Sequence, residues 1–178
     1  RQRQMCIRDS IETRIYEEEN SDVLKGYLKQ KKTGLPYVTL KIGSSINGKI
    51  ATKNGESKWI TNSLCRKRVQ LLRSENDGIL IGKNSIFVDN PRLNLRDQYA
   101  SIENKPIFIL DTNFEISGLG NLSIFDNVGK KKVHIITSKD LKDKVTDDHK
   151  FFRGVSIKKV SKEQRFLNMQ EILKIVSR

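Results

Sequence analysis

At 178 residues the chain has the length of one domain, or of one domain with part of a second. Hydrophobic residues make up 36%, and apolar runs such as Ile107–Leu110 are only a few residues long, which excludes a membrane-spanning helix of roughly 20 apolar residues. Against 21 acids stand 34 bases, and the net charge of +13 reads either as a lysine-rich solvated surface or as the mark of an anionic partner: a phosphorylated small molecule, a nucleotide or nucleic acid.

Residues Arg1–Ser10 show neither periodicity nor turn logic and are set aside as a non-native leader. From Glu17 to Lys32 the pattern predicts a helix, with acids in the first turn, lysines in the last, and Val23, Leu24, Tyr27 and Leu28 on one side. Gly34 is placed to cap it and Pro36 to bar its continuation. Tyr37–Gly43 alternates with period two and predicts a strand. A polar loop follows from Ser44 to Lys58, holding Asn47-Gly48 and Asn54-Gly55. Thr61 is placed to cap a helix carrying Leu64, Cys65, Val69 and Leu72 on one side. Gly78–Gly82 is all apolar and predicts a strand buried on both faces. Further strands are expected at Pro106–Leu110, Lys132–Thr137 and Val155–Val160. Met169, Ile172, Leu173 and Val176 then mark an amphipathic helix. Strands alternating with helices argue for an α/β sheet of mainly parallel strands.

Several chemistries have no residues to carry them. Cys6 and Cys65 cannot build a disulfide framework or a four-ligand zinc site, and no secretory leader is apparent, so a cytoplasmic location is expected. There is no Cys-x-x-Cys or His-x-Glu for zinc-dependent deamination, and no metal site is expected. His134, in an apolar strand pattern, and His149, in a charged loop, read as structural or solvated. Gly82-Lys83 is not a phosphate loop, because Gly78 is one residue too close and Asn84 replaces the Ser/Thr that magnesium needs. Gly118-Leu119-Gly120 lacks the third glycine of a dinucleotide fingerprint. Aromatic residues are 7% and are not interleaved with the bases, which gives a nucleic-acid-stacking surface little support.

What remains is a set of loops at the carboxyl ends of predicted strands, the edge where open α/β sheets bind ligands. Leu40-Lys41-Ile42-Gly43-Ser44-Ser45-Ile46-Asn47-Gly48-Lys49, then Gly55-Glu56-Ser57-Lys58-Trp59-Ile60-Thr61, then Ile81-Gly82 through Val88-Asp89-Asn90-Pro91-Arg92-Leu93 to Arg96 occur in order. Together they resemble the reductase domain of the bifunctional riboflavin-biosynthesis deaminase/reductase. Ile11 to Pro36 is similar to the tail of the deaminase domain and its linker, leaving 37–178 as the reductase part. The resemblance implies a dihydrofolate-reductase-like three-layer fold with a mainly parallel central sheet, its last strands and a Glu-Gly-Gly turn lying beyond Arg178. It implies NADPH-dependent reduction of the ribosyl side chain of 5-amino-6-(5-phosphoribosylamino)uracil. By matching position, Gly43, Trp59, Ser85, Asp89 and Ser138 would contact the cofactor, and Ser57, Arg73, Leu93 and Arg96 the substrate, the arginines suiting its phosphate. No proton donor is assigned. Asn47 stands where the family has aspartate. The implied partners are the phosphorylated pyrimidine and a second copy of the parent protein, with no membrane. The alternatives are a basic nucleic-acid-binding module and a reductase of another, pterin-like substrate on the same scaffold.

Overall fold

The computed structural model describes residues 17–96, 105–118, 121–126, 132–141 and 154–177. The segment Arg1–Ser10, Leu119-Gly120 and the loop holding His149 lie outside these. The described residues fall into two compact units, one reaching Val38 and including Ser177, the other running from Thr39 to Val176.

The first unit is built on helix α1 (Glu17–Thr33), within one residue of its expected end. Gly34 closes it at φ +69°, its amide donating to the Gln30 carbonyl at 2.8 Å, a left-handed conformation that costs glycine nothing. On the apolar side expected of this helix, Leu24 and Tyr27 are exposed and Leu28 is half-buried. Lysines cover the rings instead, Lys31 over Tyr27 and both Lys25 and Lys29 over Tyr37, so cation–π contacts replace a core contact.

The second unit is organised by a four-stranded parallel sheet in the order β1 (Ile79–Gly82), β2 (Ile107–Leu110), β3 (Val133–Ser138), β4 (Val155–Val160). Ile79, Ile107, Val133 and Val155 lie in register, and the next row is Leu80, Phe108, His134 and Ser156. Side chains alternate across a strand, so these rows face opposite ways. Ile107, Ile109, Val133 and Ile135 form one core with Ile86, Phe114, Ile116 and Ile124. On the other face Phe108, Ile136 and Val160 pack with Leu167 and with Ile172 of helix α4 (Met169–Val176). Burying each such side chain contributes roughly 1.5–3 kcal/mol. Coverage on both faces is why β2 reads as an unbroken apolar run and β3 as one interrupted only by His134 before Thr137. His134, stacked on Phe108 at 4.9 Å, is held below its usual pKa by burial and then by Lys158 and Lys132, so it stays neutral in the sheet.

Two strand expectations need correction. Tyr37–Gly43 forms no strand. Its alternation is present, but none of the described strands offers it a ladder, and Val38, Leu40 and Ile42 are exposed. Strand β1 is buried on one face only: Ile81 packs into the core, whereas Leu80 is 39% exposed because β1 is the outer strand and Leu80 lies outside the α4 cluster. β4, at the opposite side of the described sheet, carries exposed Lys158 and Lys159.

Some elements carried no readable period. Helix α3 (Lys83–Asp89) occupies what the sequence suggested was loop, and it forms because Ile86 and Phe87 reach the core. Asn90 ends it at φ 39°, with its amide on the Ile86 carbonyl, and Pro91 prevents another turn. A two-residue pairing of β5 (Lys162–Glu163) with β6 (Phe166–Leu167) leads into α4.

The start of α4 sets an acid-sensitive contact. Asn168 caps the helix through the Glu171 amide at 2.9 Å. The Glu171 carboxylate accepts from the Ser161 hydroxyl at 2.7 Å, from Lys139 at 2.9 Å and from the Ser161 amide at 3.2 Å. The Ser161 hydroxyl first, then Lys139 and the Ser161 amide, lower its pKa from 4.5 to about 2. A carboxyl whose folded pKa lies below its unfolded value stabilises fully above the unfolded value, and loses that contribution as pH falls through the folded one. Thermal melts of the wild type are therefore expected to lose stability between about pH 4.5 and 2, and Glu171→Gln to flatten that part of the profile while lowering Tm at pH 7. Equal slopes in the two proteins would contradict this.

Candidate active site

Two turns shape the long segment that opens the second unit. Gly48, at φ +76°, completes a turn in which Ser45 and Lys49 bond at 2.9 Å, and Asn47 Oδ1 accepts from the Ser45 hydroxyl. Thr52 and Glu56 close the second turn at 2.9 Å around Asn54-Gly55. Ser57–Thr61 then runs into helix α2 (Ser63–Glu75). Its cap is Asn62, not Thr61: Asn62 Oδ1 takes the Cys65 amide at 2.9 Å. The Thr61 carbonyl accepts from Arg66 instead, at 2.7 Å.

The loop after α3 is tied to this assembly from two sides. Asn90 Oδ1 accepts the Ser123 amide at 2.7 Å, and Gln70 of α2 accepts the Arg96 amide at 3.2 Å. Arg73, one turn further along α2, points an N–H at the Asn94 carbonyl at 3.5 Å. Leu93, at φ 53°, turns inward against the core.

Between these pieces lies a cleft of about 700 Å³, within the range of small-molecule sites. Gly43, Ser57, Trp59, Arg73, Asp89 and Arg96 all line it. An adjoining hollow of about 640 Å³ shares Lys58, Trp59, Asp89 and Arg96 with it and continues along Asn90–Arg92 to Ser123. Six of the nine residues singled out from the sequence thus meet at one place. The other three do not line it. Leu93 sits beneath the loop, Ser85 is exposed in the first turn of α3, and Ser138 is 1% exposed at the end of β3, its hydroxyl accepting the Asp140 amide at 3.1 Å.

The cleft is cationic. Lys41, Lys58, Arg66, Lys67, Arg73 and Arg96 line it against the single carboxylate of Asp89. Burial first, and then the neighbouring Arg96 charge, lower the pKa of Arg73. Two guanidinium groups held close while one is withdrawn from water make a place where an anion relieves an existing cost. Arg66 escaped the sequence reading, although Arg66, Gln70 and Arg73 follow helical spacing along one side of α2.

The model of the RibD C-terminal domain matches residues 36–177. The chain belongs to this family. It is 30% identical over 169 residues to the riboflavin biosynthesis protein RibD of Bacillus amyloliquefaciens, an alignment covering 94% of this chain and 43% of that protein. RibD of Escherichia coli is 44% identical over 72 residues. Among solved structures, the Thermotoga maritima deaminase/5-amino-6-(5-phosphoribosylamino)uracil reductase superposes with TM-score 0.73 at 25% identity, covering 90% of this chain and 41% of that one. Acinetobacter baumannii RibD gives 0.71 at 27% identity, covering 90% of this chain and 42% of that one. The yeast riboflavin biosynthesis reductase Rib7, at 18% identity and TM-score 0.59, shows the same fold. The chain spans about two-fifths of the length of RibD from Bacillus amyloliquefaciens and of the Thermotoga maritima protein, at 43% and 41%. The RibD reductase structures share the dihydrofolate-reductase-like fold, and the parallel α/β sheet of this chain is of that kind.

Proposed function

We propose that this chain forms the cofactor and substrate cleft of a riboflavin-pathway reductase, which reduces the ribosyl side chain of 5-amino-6-(5-phosphoribosylamino)uracil to ribityl with NADPH. The observation that carries the reading is the meeting of Ser57, Trp59, Arg73, Asp89 and Arg96 in one cationic cleft, on a chain of the RibD C-terminal family.

The residues present fit a phosphorylated dinucleotide beside a sugar phosphate. Trp59 offers an apolar wall, 72% exposed within the cleft, against which a flat ring can lie. Arg73 and Arg96 supply planar, two-pronged donors matched to phosphate oxygens. Ser57 adds a hydroxyl-bearing residue to the lining, and Asp89 a carboxylate that accepts from hydroxyl or amide donors. Gly43 lines the cleft with backbone, and a Cβ there would make only ordinary contact, 3.6 Å from Thr61 Cγ2 and from Lys41 Nζ. NADPH, when bound, supplies the hydride. The protein's part is to hold the two reactants at a productive angle and to exclude water between them. Ser85 and Ser138 lie outside the cleft, on elements that follow β1 and end β3, and we keep them as outer contacts of the cofactor. Leu93 acts from below, setting the course of the loop that carries Arg96.

Residues 37–178 belong to the reductase part in this reading, and 11–36 to the tail of a preceding domain and its linker, in keeping with a family match that begins at residue 36. Among the described residues no helix is long and apolar enough to cross a membrane, and a cytoplasmic location is part of the same proposal.

Titration of NADPH, followed by its own fluorescence, is expected to saturate, and NADPH oxidation to require the aminouracil phosphoribosyl compound. Absence of saturable binding would sink the cofactor assignment. Equal turnover of a pterin would move the substrate assignment while leaving the fold and cofactor intact.

A further inference from the structure

Arg66 lies outside the strings that carry the family resemblance, yet it makes two contacts at the cleft. From the first turn of α2 its guanidinium carbon stands 4.3 Å from the centre of the Trp59 ring. Its terminal N–H donates to the Thr61 carbonyl at 2.7 Å. The first contact holds the ring by its electron-rich face, and the second fixes the backbone two residues further on. Trp59 is 72% exposed, so burial does little to immobilise it, and an exposed side chain without such a contact exchanges rotamers within nanoseconds. A guanidinium makes both contacts at once, its plane on the ring and one N–H of its fork on the carbonyl. An ammonium carries the charge but has neither the plane nor the fork.

We propose that Arg66 is the positioning residue for Trp59, clamping the indole and the Ser57–Thr61 loop in the orientation that shapes the cleft. The clamp stands on the two contacts alone. Its consequence for NADPH rests on the function proposed above, and the two parts are separable by experiment.

The chain contains one tryptophan, so emission excited at wavelengths beyond the absorption of its four tyrosines reports Trp59 alone. In the 178-residue chain, Arg66→Ala and Arg66→Lys are both expected to raise the acrylamide quenching constant of that emission roughly twofold and to lower its anisotropy, because the ring gains freedom and an uncovered face. The dissociation constant for NADPH is expected to rise about fivefold in both, the equivalent of one partly exposed cation–π contact. Arg68→Ala removes a charge from the exposed side of the same helix, away from the cleft, and is expected to leave both readouts unchanged. Quenching that matches the wild type in Arg66→Ala overturns the proposal. So does Arg66→Lys with wild-type quenching and affinity, since Arg66 would then act only as a charge. Altered quenching in a chain whose wild type binds no NADPH upholds the clamp and defeats the cofactor reading.

Discussion

Arg73→Met is expected to cut kcat/KM for the phosphorylated substrate by about 100-fold or more, while leaving the chain at least as stable as before. The activity loss follows from the loss of charge-assisted hydrogen bonds, each contributing roughly 1.5–3 kcal/mol, so that two of them correspond to about two decades. The stability outcome follows from a different fact. Burial, and then the Arg96 guanidinium, lower the pKa of Arg73, so its charge is opposed by its surroundings when no anion is present. Its hydrogen bond to the protein among the described residues is the long 3.5 Å approach to the Asn94 carbonyl. Methionine keeps the length and apolar stem without the charge, and such replacements of half-buried ions are often neutral or stabilising. The same reasoning predicts that inorganic phosphate raises the Tm of the wild type in a concentration-dependent way, by mass action, and raises that of Arg73→Met much less. Stability is measured by thermal melts with and without phosphate, activity by NADPH oxidation. A variant that loses several degrees of Tm together with its activity would show Arg73 to be a structural residue, and the cleft would then need another phosphate anchor.

The parts of this fold that could be read from sequence are those where one period dominates. Ile107–Leu110 is apolar on both sides, and Val133–Thr137 nearly so, because core covers both sides, and α4 shows Ile172 turned to the sheet. Legibility failed where burial depends on a partner the local pattern does not contain. Tyr37–Gly43 alternates as a strand should, but alternation does not supply a neighbouring edge. Helix α3 has two turns, too few to show a period, and only the three-dimensional burial of Ile86 reveals why it forms. The site divides in the same way. Gly43, Ser57, Trp59, Asp89 and Arg96 belong to strings that could be recognised, and they meet. Leu93 belongs to one of those strings too, yet a left-handed backbone at φ 53° turns it into the core. Arg66 belongs to no string. Its value lies in a cation–π contact and one carbonyl, pairings across a chain reversal that spacing alone does not announce.

Ile109→Ala is expected to give the largest stability loss among single truncations, about 3 kcal/mol. Ile109 lies in β2 between β1 and β3, fully buried, in the cluster that contains Ile86 and Ile135 and receives Leu93 and Phe87 from the loop side. Large-to-small changes at such positions cost roughly 2–5 kcal/mol, part from lost transfer and part from the cavity that a close-packed sheet cannot collapse. For a chain of this size that is a Tm decrease of roughly 6–12 °C. In urea the midpoint is expected to fall with an unchanged m-value, as for lost packing in an otherwise intact native state. Leu80→Ala, on the open face of the outer strand, serves as the contrast and is expected to cost less than about 1 kcal/mol. A functional consequence accompanies the first change. Ile86 anchors α3 and Leu93 anchors the segment leading to Arg96, so a cavity at Ile109 loosens the support of one wall of the cleft. NADPH affinity is therefore expected to fall in Ile109→Ala even at temperatures where the chain is fully folded, and to stay unchanged in Leu80→Ala. Equal costs at the two positions would mean that the apolar face under the cleft is not the one that holds the sheet together.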